Sequence, residues 1–472
     1  MLYTQYTTKI VALAIFGLAL LYYILLRSPD HTFFNMGEDG PLFLQTAKHL
    51  VTGAPSPGSP LFHITNAVWM RMFSFGTEYG TVAILSAVYS AITAGLLYLI
   101  TRNILAPLLW ISSAIVLSQS TILELYTLMT LMMVLGYYAY IKDKRVLAYF
   151  ILGLGVAVHH ICGLGFVALI VTDFINKRSL KPALAFFLVI PLFIYIPLTN
   201  RPPYYMIGGN LPVDYIKYFF QTAAGLAGGL PLWPADNIYG RLWDLVRVTG
   251  GGLGLSLVLV YLTVKNNWKE HLPTLLMGLL PLMYYITTSD SKSYFTTLPT
   301  IAFLAILATK YDWRSLKIVC SIICSGLIIM NIFLYDFGRA IDKDQSAVQF
   351  YNQLEELPPG SVLETCWCIS NSIYVNMTYL HNLENEDDIY IVDTEFFRMF
   401  GGRGLDGKLT SKDIWVDRIE NAEKEGKLFR VKAESFLEGN IVPASSKEVL
   451  DKYVNSDFYK DSIGEYNNGI SS

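Results

Sequence analysis

The chain has 472 residues, 53% of them hydrophobic and only 15% charged, with a formal net charge of −3. Water-soluble domains carry roughly 25% charged residues, so much of this chain is built for a solvent other than water, and without a basic excess it offers no footprint for nucleic acid. The charge is also uneven: before Asp336 acidic residues are sparse between apolar runs, whereas Glu355-Glu356, Glu384 to Asp388 and Asp417 to Glu425 crowd the C-terminal third. That shift places a domain boundary near residue 336.

A membrane helix needs about 20 mostly apolar residues. Apolar runs near 10–26, 79–101, 104–119, 122–141, 146–161, 163–175, 182–198, 249–265, 272–288, 295–309 and 318–335 predict about eleven such spans. The first has an apolar stretch longer than the usual 7–15 residues of a signal peptide and no Ala-x-Ala-like site after it, so it is expected to be a retained anchor. Lys and Arg collect in Lys142 to Arg145, Lys177-Arg178, Lys265 to Lys269 and Lys310 to Lys317. Counting spans puts these loops on one side together with Lys9 and Arg102, and the positive-inside rule makes that side cytoplasmic. The predicted fold class is an all-α polytopic membrane protein, residues 1–335, with long external loops over 28–78 and 199–248, followed by a small soluble α/β domain over 336–472 on the non-cytoplasmic face. Such a protein sits in the plasma membrane of a prokaryote or the endoplasmic reticulum of a eukaryote.

In the tail, Asp342 to Leu357 reads as a helix that stops at Pro358-Pro359-Gly360. Ser361 to Thr365 and Asp388 to Asp393 read as strands, Ser372 to Leu380 as a helix between them, and Ser411 to Lys427 as a further amphipathic helix. Alternating strands and helices predict a small, partly parallel sheet. The five cysteines have no zinc-site spacing.

The loop after the first span holds adjacent carboxylates, Glu38 and Asp39, between Gly37 and Gly40. A helix comes next, then the turn Gly53-Ala-Pro-Ser-Pro-Gly-Ser-Pro60, then an amphipathic stretch up to Phe75, a pattern that fits helices lying in the membrane interface. Three further features fall on the same face: Glu124 and Tyr126 at the start of the fourth span, His159-His160 at the end of the fifth, and Asp290 with Lys292 before the tenth. Each has a structural explanation, such as a carboxylate favoured near a helix N-terminus or an imidazole pair bonded to neighbouring carbonyls. Ionisable groups within apolar spans are nevertheless expensive and by default mark function, and all of these polar features share this face.

The order of these motifs resembles the GT-C superfamily of membrane glycosyltransferases, and within it the branch related to plexin-type protein O-mannosyltransferases. That branch carries an acidic Gly-Asp-Ser-Gly-Glu motif after its first span, a His-Pro-Pro-Gly-Tyr-Pro-Leu turn, a Glu-Val-Tyr-Ala-Leu motif and a Gly-Leu-x-x-x-His-His motif. Here stand Gly37-Glu38-Asp39-Gly40-Pro41, Pro55-Ser-Pro57-Gly58-Ser-Pro60-Leu61, Glu124-Leu-Tyr126-Thr-Leu128 and Gly153-Leu154 through His159-His160. Leu357-Pro-Pro-Gly-Ser361 is similar to the opening of the family's tail. The chain departs from the pattern at Glu38, where the family has Asp, at Pro41, where it has a second acid, and at Pro55, where it has His.

The resemblance implies an inverting transfer of a sugar, mannose or another hexose, from a polyprenyl or dolichyl phosphate to a hydroxyl on a protein or glycan. Glu38 or Asp39 would be the general base. The departing lipid phosphate needs donors or positive charge, for which His159, His160, Arg201 and Lys292 are the candidates, with Asp290 beside them. Glu124 and Tyr126 would position the sugar. No ligand cluster demands a metal, and the residues leave a divalent ion open. Two other classes compete on sequence grounds: a proton-coupled secondary transporter, which would favour inverted repeats that are not found here, and a non-catalytic membrane scaffold.

Overall fold

The computed structural model describes residues 2–26, 59–74, 78–189, 253–287, 295–334, 391–393, 420–432 and 440–448, together with positions 246 and 249. By internal contact the chain divides into one unit of Met1–Arg27, Thr46–Pro202 and Gly208–Phe337 and a second of Ser28–Gln45, Pro203–Ile207 and Gly338–Ser472.

The first unit is helical. Its apolar composition gives a bundle, because a backbone away from water must satisfy its polar groups internally and a helix does so within one segment. Helices α1 (Leu2–Leu25) and α3 (Glu78–Thr101) are its longest. They pack side by side, and Arg102, just past the end of α3, donates to the Thr8 hydroxyl near the start of α1 at 2.6 Å, so the two run antiparallel. Between them in sequence lies the short helix α2 (Pro60–Met72), opened by a proline in its first turn where its missing N–H costs nothing. Trp69 of α2 donates to the Thr81 carbonyl at the start of α3 at 2.7 Å.

The run predicted as one span over 104–119 is two helices, α4 (Leu105–Ser112) and α5 (Ala114–Ser120). Ser113 between them is extended, at φ −71 and ψ 124, and consecutive serines favour such a break because their hydroxyls offer the backbone local partners. Helices α6 (Tyr126–Ile141), α7 (Arg145–Val156) and α8 (Cys162–Ile175) come next. The predicted fifth span, 146–161, therefore ends early. Gly153 and Gly155 weaken its last turn as a helix, and Gly153 is needed for packing: a Cβ there would run into the Phe186 carbonyl oxygen and lie 3.2 Å from the Phe186 Cα. Phe186 belongs to the segment Lys181–Val189, which is 3₁₀ rather than the α-helix expected over 182–198.

In the expected span 249–265, Thr249 and Leu253 are helical, a 3₁₀ turn follows at Gly254–Ser256, and α9 (Leu257–Asn267) comes after it. Helix α10 (Leu272–Thr287) contains Pro281, α11 (Leu298–Ala308) is buried along its whole length, and α12 (Arg314–Leu334) is exposed along one side. Among the described residues three helices are long and apolar enough to cross a membrane, over Tyr6–Leu25, Gly80–Thr101 and Arg314–Phe333; five others are apolar but shorter. The core centres on α3, α6 and α11, with Trp110, Tyr149 and Phe303 fully buried, while Leu13, Phe174, Leu188 and Phe333 face outward.

Asp173, on the apolar helix α8, organises one end of the bundle. Its carboxylate is fully buried and accepts from Tyr140 at 2.8 Å, from Tyr149 at 2.6 Å and from Arg145 at 2.5 and 3.2 Å. Arg145 also donates to the Ser179 carbonyl. The termini of α6 and α8 and the start of α7, each flanked by basic residues, are thus tied together.

In the second unit a three-stranded sheet has the order β1 (Ile391–Asp393), β2 (Leu428–Lys432), β3 (Asn440–Pro443). β1 and β2 are parallel, with Ile391 opposite Leu428; β2 and β3 are antiparallel, with Phe429 opposite Pro443. Strand β1 falls inside the predicted strand 388–393, whereas β2 and β3 were not expected. Residues 420–424 are helical, within the predicted helix 411–427. The predicted helices over 342–357 and 372–380 and the strand over 361–365 lie outside the described residues.

Candidate functional site

The end of the bundle opposite Asp173 gathers the polar residues singled out in sequence. Helix α5 stops at Ser120, and Thr121 to Leu125 form a non-helical link before α6. A backbone that leaves the helix inside an apolar bundle needs other partners, and α3 supplies them. The Ser86 hydroxyl donates to the Glu124 carbonyl at 3.3 Å and accepts from the Glu124 N–H at 3.4 Å. One turn further along α3, the Ser90 hydroxyl accepts from Ser120 at 2.7 Å and from the Trp110 indole at 3.1 Å. Glu124 is thereby held with its side chain buried, two residues before α6 begins rather than on that helix.

Tyr126, at the head of α6, brings two other segments together. Its ring centroid lies 5.6 Å from His159 and 5.5 Å from Phe295, which stands just before α11. His159 and His160 occupy the turn between α7 and α8 and stack on each other, with centroids 4.2 Å apart and planes at 29°. The Nδ1 of His159 accepts from the Ile161 N–H at 3.3 Å, which leaves Nε2 as the protonated, donating nitrogen of the neutral ring. The Nε2 of His160 lies 2.7 Å from the Tyr284 hydroxyl near the end of α10. The Leu61 N–H donates to the Ala157 carbonyl at 3.0 Å, so the first turn of α2, with Phe62 and His63 buried, is joined to the same turn.

Around this group the interior is unusually polar. Asn66 on α2, Gln119 on α5 and Thr127 on α6 are wholly buried, and among the described residues their side-chain polar atoms make no hydrogen bond. Buried amides in that condition are uncommon and call for an explanation such as a water or a ligand. Among the described residues no group of three or more His, Cys, Asp or Glu is placed to hold a metal ion. Cys162, Cys320 and Cys324 are buried free thiols.

Of the residues selected from sequence, Tyr126, His159 and His160 form a continuous series of ring contacts, and Glu124 is two residues from Tyr126. Glu38, Asp39, Arg201, Asp290 and Lys292 lie outside the described residues. Tyr284, Phe295, Asn66 and Gln119 were not selected. For the two aromatics no local signal exists, since α10 and the start of α11 read as ordinary apolar helix. Gln119 does stand out as an amide between serines at the end of an apolar run.

No family model and no curated protein matches the sequence. Solved structures do match the fold. The apo form of ArnT from Cupriavidus metallidurans aligns with a TM-score of 0.60 at 10% identity, over 91% of this chain and 94% of that one. The same protein bound to undecaprenyl phosphate aligns with a TM-score of 0.56 at 10% identity, over 89% and 92%. An Archaeoglobus fulgidus oligosaccharyltransferase, tethered to an acceptor peptide containing an NVT sequon, aligns with a TM-score of 0.50 at 9% identity, over 89% of this chain and 69% of that one. These neighbours are GT-C glycosyltransferases and multi-pass membrane proteins. The chain shares the GT-C fold.

Proposed function

We propose that the chain is an inverting glycosyltransferase that moves a sugar from a polyprenyl or dolichyl phosphate to a hydroxyl acceptor on a protein or glycan. The observation that carries this reading is the juxtaposition, at one end of a GT-C-like bundle, of a stacked His159-His160 pair, Tyr126, Tyr284 and the buried Glu124. The binding of undecaprenyl phosphate by one structural neighbour and of an acceptor peptide by another supports a lipid-linked donor and a protein acceptor.

In this mechanism the acceptor oxygen attacks C1 of the sugar from the face opposite the phosphate. The C1–O bond breaks, its electron pair leaves on the lipid phosphate, and the acceptor proton passes to Glu38 or Asp39 acting as general base. The His159 Nε2–H is a donor suited to the charge that develops on the departing phosphate, and Tyr284 holds His160 beside it. Arg201 and Lys292 would add positive charge, Arg with the fork geometry that fits a phosphate. Asp290 and Glu124 would orient a sugar hydroxyl or a basic partner. The finer assignments belong to the same proposal: about eleven spans over residues 1–335, the site and the α/β domain of 336–472 on the non-cytoplasmic face, and mannose or another hexose as the sugar.

The test is release of undecaprenyl phosphate from undecaprenyl-phosphate mannose and its glucose counterpart by the purified full-length protein in lipid nanodiscs, with a Ser/Thr-containing peptide added to supply the acceptor hydroxyl. The unmodified protein should turn over. One of Glu38→Gln and Asp39→Asn should slow it by about 10²- to 10⁴-fold, the usual loss for a general base. Normal rates in both variants would remove the catalytic assignment. No turnover by the unmodified protein with either donor would remove the glycosyltransferase reading itself and leave the transporter and the scaffold.

A further inference from the structure

At the basic end of the bundle, away from the candidate site, a groove of about 650 Å³ runs between the start of α4 and the outer face of α12. Its α12 wall comprises Arg314, Lys317, Ile318, Ser321, Ile322, Ser325, Gly326 and Ile329. These positions recur at three- and four-residue intervals, as one face of a helix requires, and at 1.5 Å per residue they extend over about 22 Å. The groove is therefore polarised along its length. Both cations stand at the mouth, beside Asn103, and the rest is apolar or small.

The state of these groups points to an occupant. Arg314 is exposed and makes no ion pair among the described residues. Lys317 is held at the mouth by donating to the Thr309 carbonyl at 2.8 Å, which leaves two of its protons for another acceptor. Ile318, Ile322 and Ile329 are 50%, 66% and 55% exposed, an apolar strip with the small residues Ser325 and Gly326 between its last two members. Gly326 opens the floor, since a Cβ there would meet nothing within 4 Å. Two cations over an apolar trough about as long as one leaflet with its headgroup layer, roughly 20 Å, match one class of molecule.

We propose that this groove binds an anionic phospholipid, its phosphate between Arg314 and Lys317 and one acyl chain along Ile318, Ile322 and Ile329. Basic pockets beside membrane helices select anionic head groups over zwitterionic ones. The apolar strip selects a lipid over a free phosphate. The site stands on groove geometry at the other end of the bundle from the His pair, so it survives or falls independently of the proposed transferase activity.

The experiment is native mass spectrometry and thermal unfolding of the full-length, delipidated protein in detergent, with phosphatidylglycerol, phosphatidylcholine or inorganic phosphate added. Phosphatidylglycerol should bind as a discrete adduct and raise the unfolding temperature, while phosphatidylcholine and phosphate should do neither. Arg314→Gln with Lys317→Gln should abolish the preference of phosphatidylglycerol over phosphatidylcholine. Gly326→Leu should fill the trough, and because the site has room and leucine is the better helix former, this variant should unfold no earlier than the unmodified protein in detergent alone. It should nevertheless lose the phosphatidylglycerol shift. Equal response to both lipids, an equal response to inorganic phosphate, or an undiminished phosphatidylglycerol adduct in both variants would each overturn the proposal.

Discussion

Replacing Asp173 with Asn removes the charge from a carboxylate that is fully buried and receives hydrogen bonds from Tyr140, Tyr149 and Arg145. Deleting one member of a buried ion pair costs roughly 3–5 kcal/mol, because the other charge is left without compensation. Asn keeps the shape and one acceptor oxygen, so one neutral bond of about 1 kcal/mol survives. Tyr149 can turn its hydroxyl to accept from the new amide, whereas Arg145 has no lone pair to do so. Its side chain is 15% exposed against 0% for Asp173, so water recovers part of its solvation. The expected net loss is about 2–3 kcal/mol. Thermal unfolding in detergent should show it as a drop of several degrees. Asp173→Leu with Arg145→Met should recover most of that loss, because a well-packed apolar pair is often as stable as a buried ionic one. An Asp173→Asn protein that unfolds at the normal temperature would refute the claim that this network holds α6, α7 and α8 together. Its transfer rate per folded molecule should be unchanged, since the network lies at the far end from the His pair.

Gly153→Ala places a methyl against the Phe186 backbone and should destabilise the protein by about 1–3 kcal/mol, as overpacking does; unfolding temperature and expression level report it. Tyr284→Phe keeps the ring beside His160 but removes the hydroxyl 2.7 Å from Nε2. On the proposed mechanism it should lower turnover about tenfold with a small change in donor KM, and Tyr284→Ala should do no less; normal turnover in both would show that the imidazole needs no such support. A cysteine at Ser411, in a background lacking Cys366 and Cys368, should react with a membrane-impermeant maleimide in intact cells, and one at Asp143 should not. The reverse pattern would invert the orientation and with it the placement of the site.

The positions of the helices were legible because solvent mismatch is written locally: an apolar run such as 79–101 needs no distant partner to be recognised. Their ends were less so. The non-helical link over Thr121 to Leu125 depends on Ser86 of α3 for its backbone partners, and the last turns of α7 pack Gly153 against the Phe186 backbone, in both cases on a segment distant in sequence. The same distinction governs the candidate site. Glu124 and the His pair stand out as ionisable groups in apolar surroundings, but nothing within 20 residues of His160 predicts Tyr284, which is 124 positions away. Asp173 was overlooked because it reads as the polar end of a span, and only the fold shows it wholly enclosed among three donors.

Helix α3 has a consequence for how this chain tolerates change. Its serines at 86 and 90 are fastened to two different places, the Glu124 backbone and the Ser120–Trp110 corner. One inserted residue between them would rotate everything on one side of the insertion by about 100° and displace it by 1.5 Å, breaking one attachment while sparing the other. Length variation among related sequences should therefore accumulate in the loops, while the spacing of this serine pair stays constant, like the distance between two pins on one shaft.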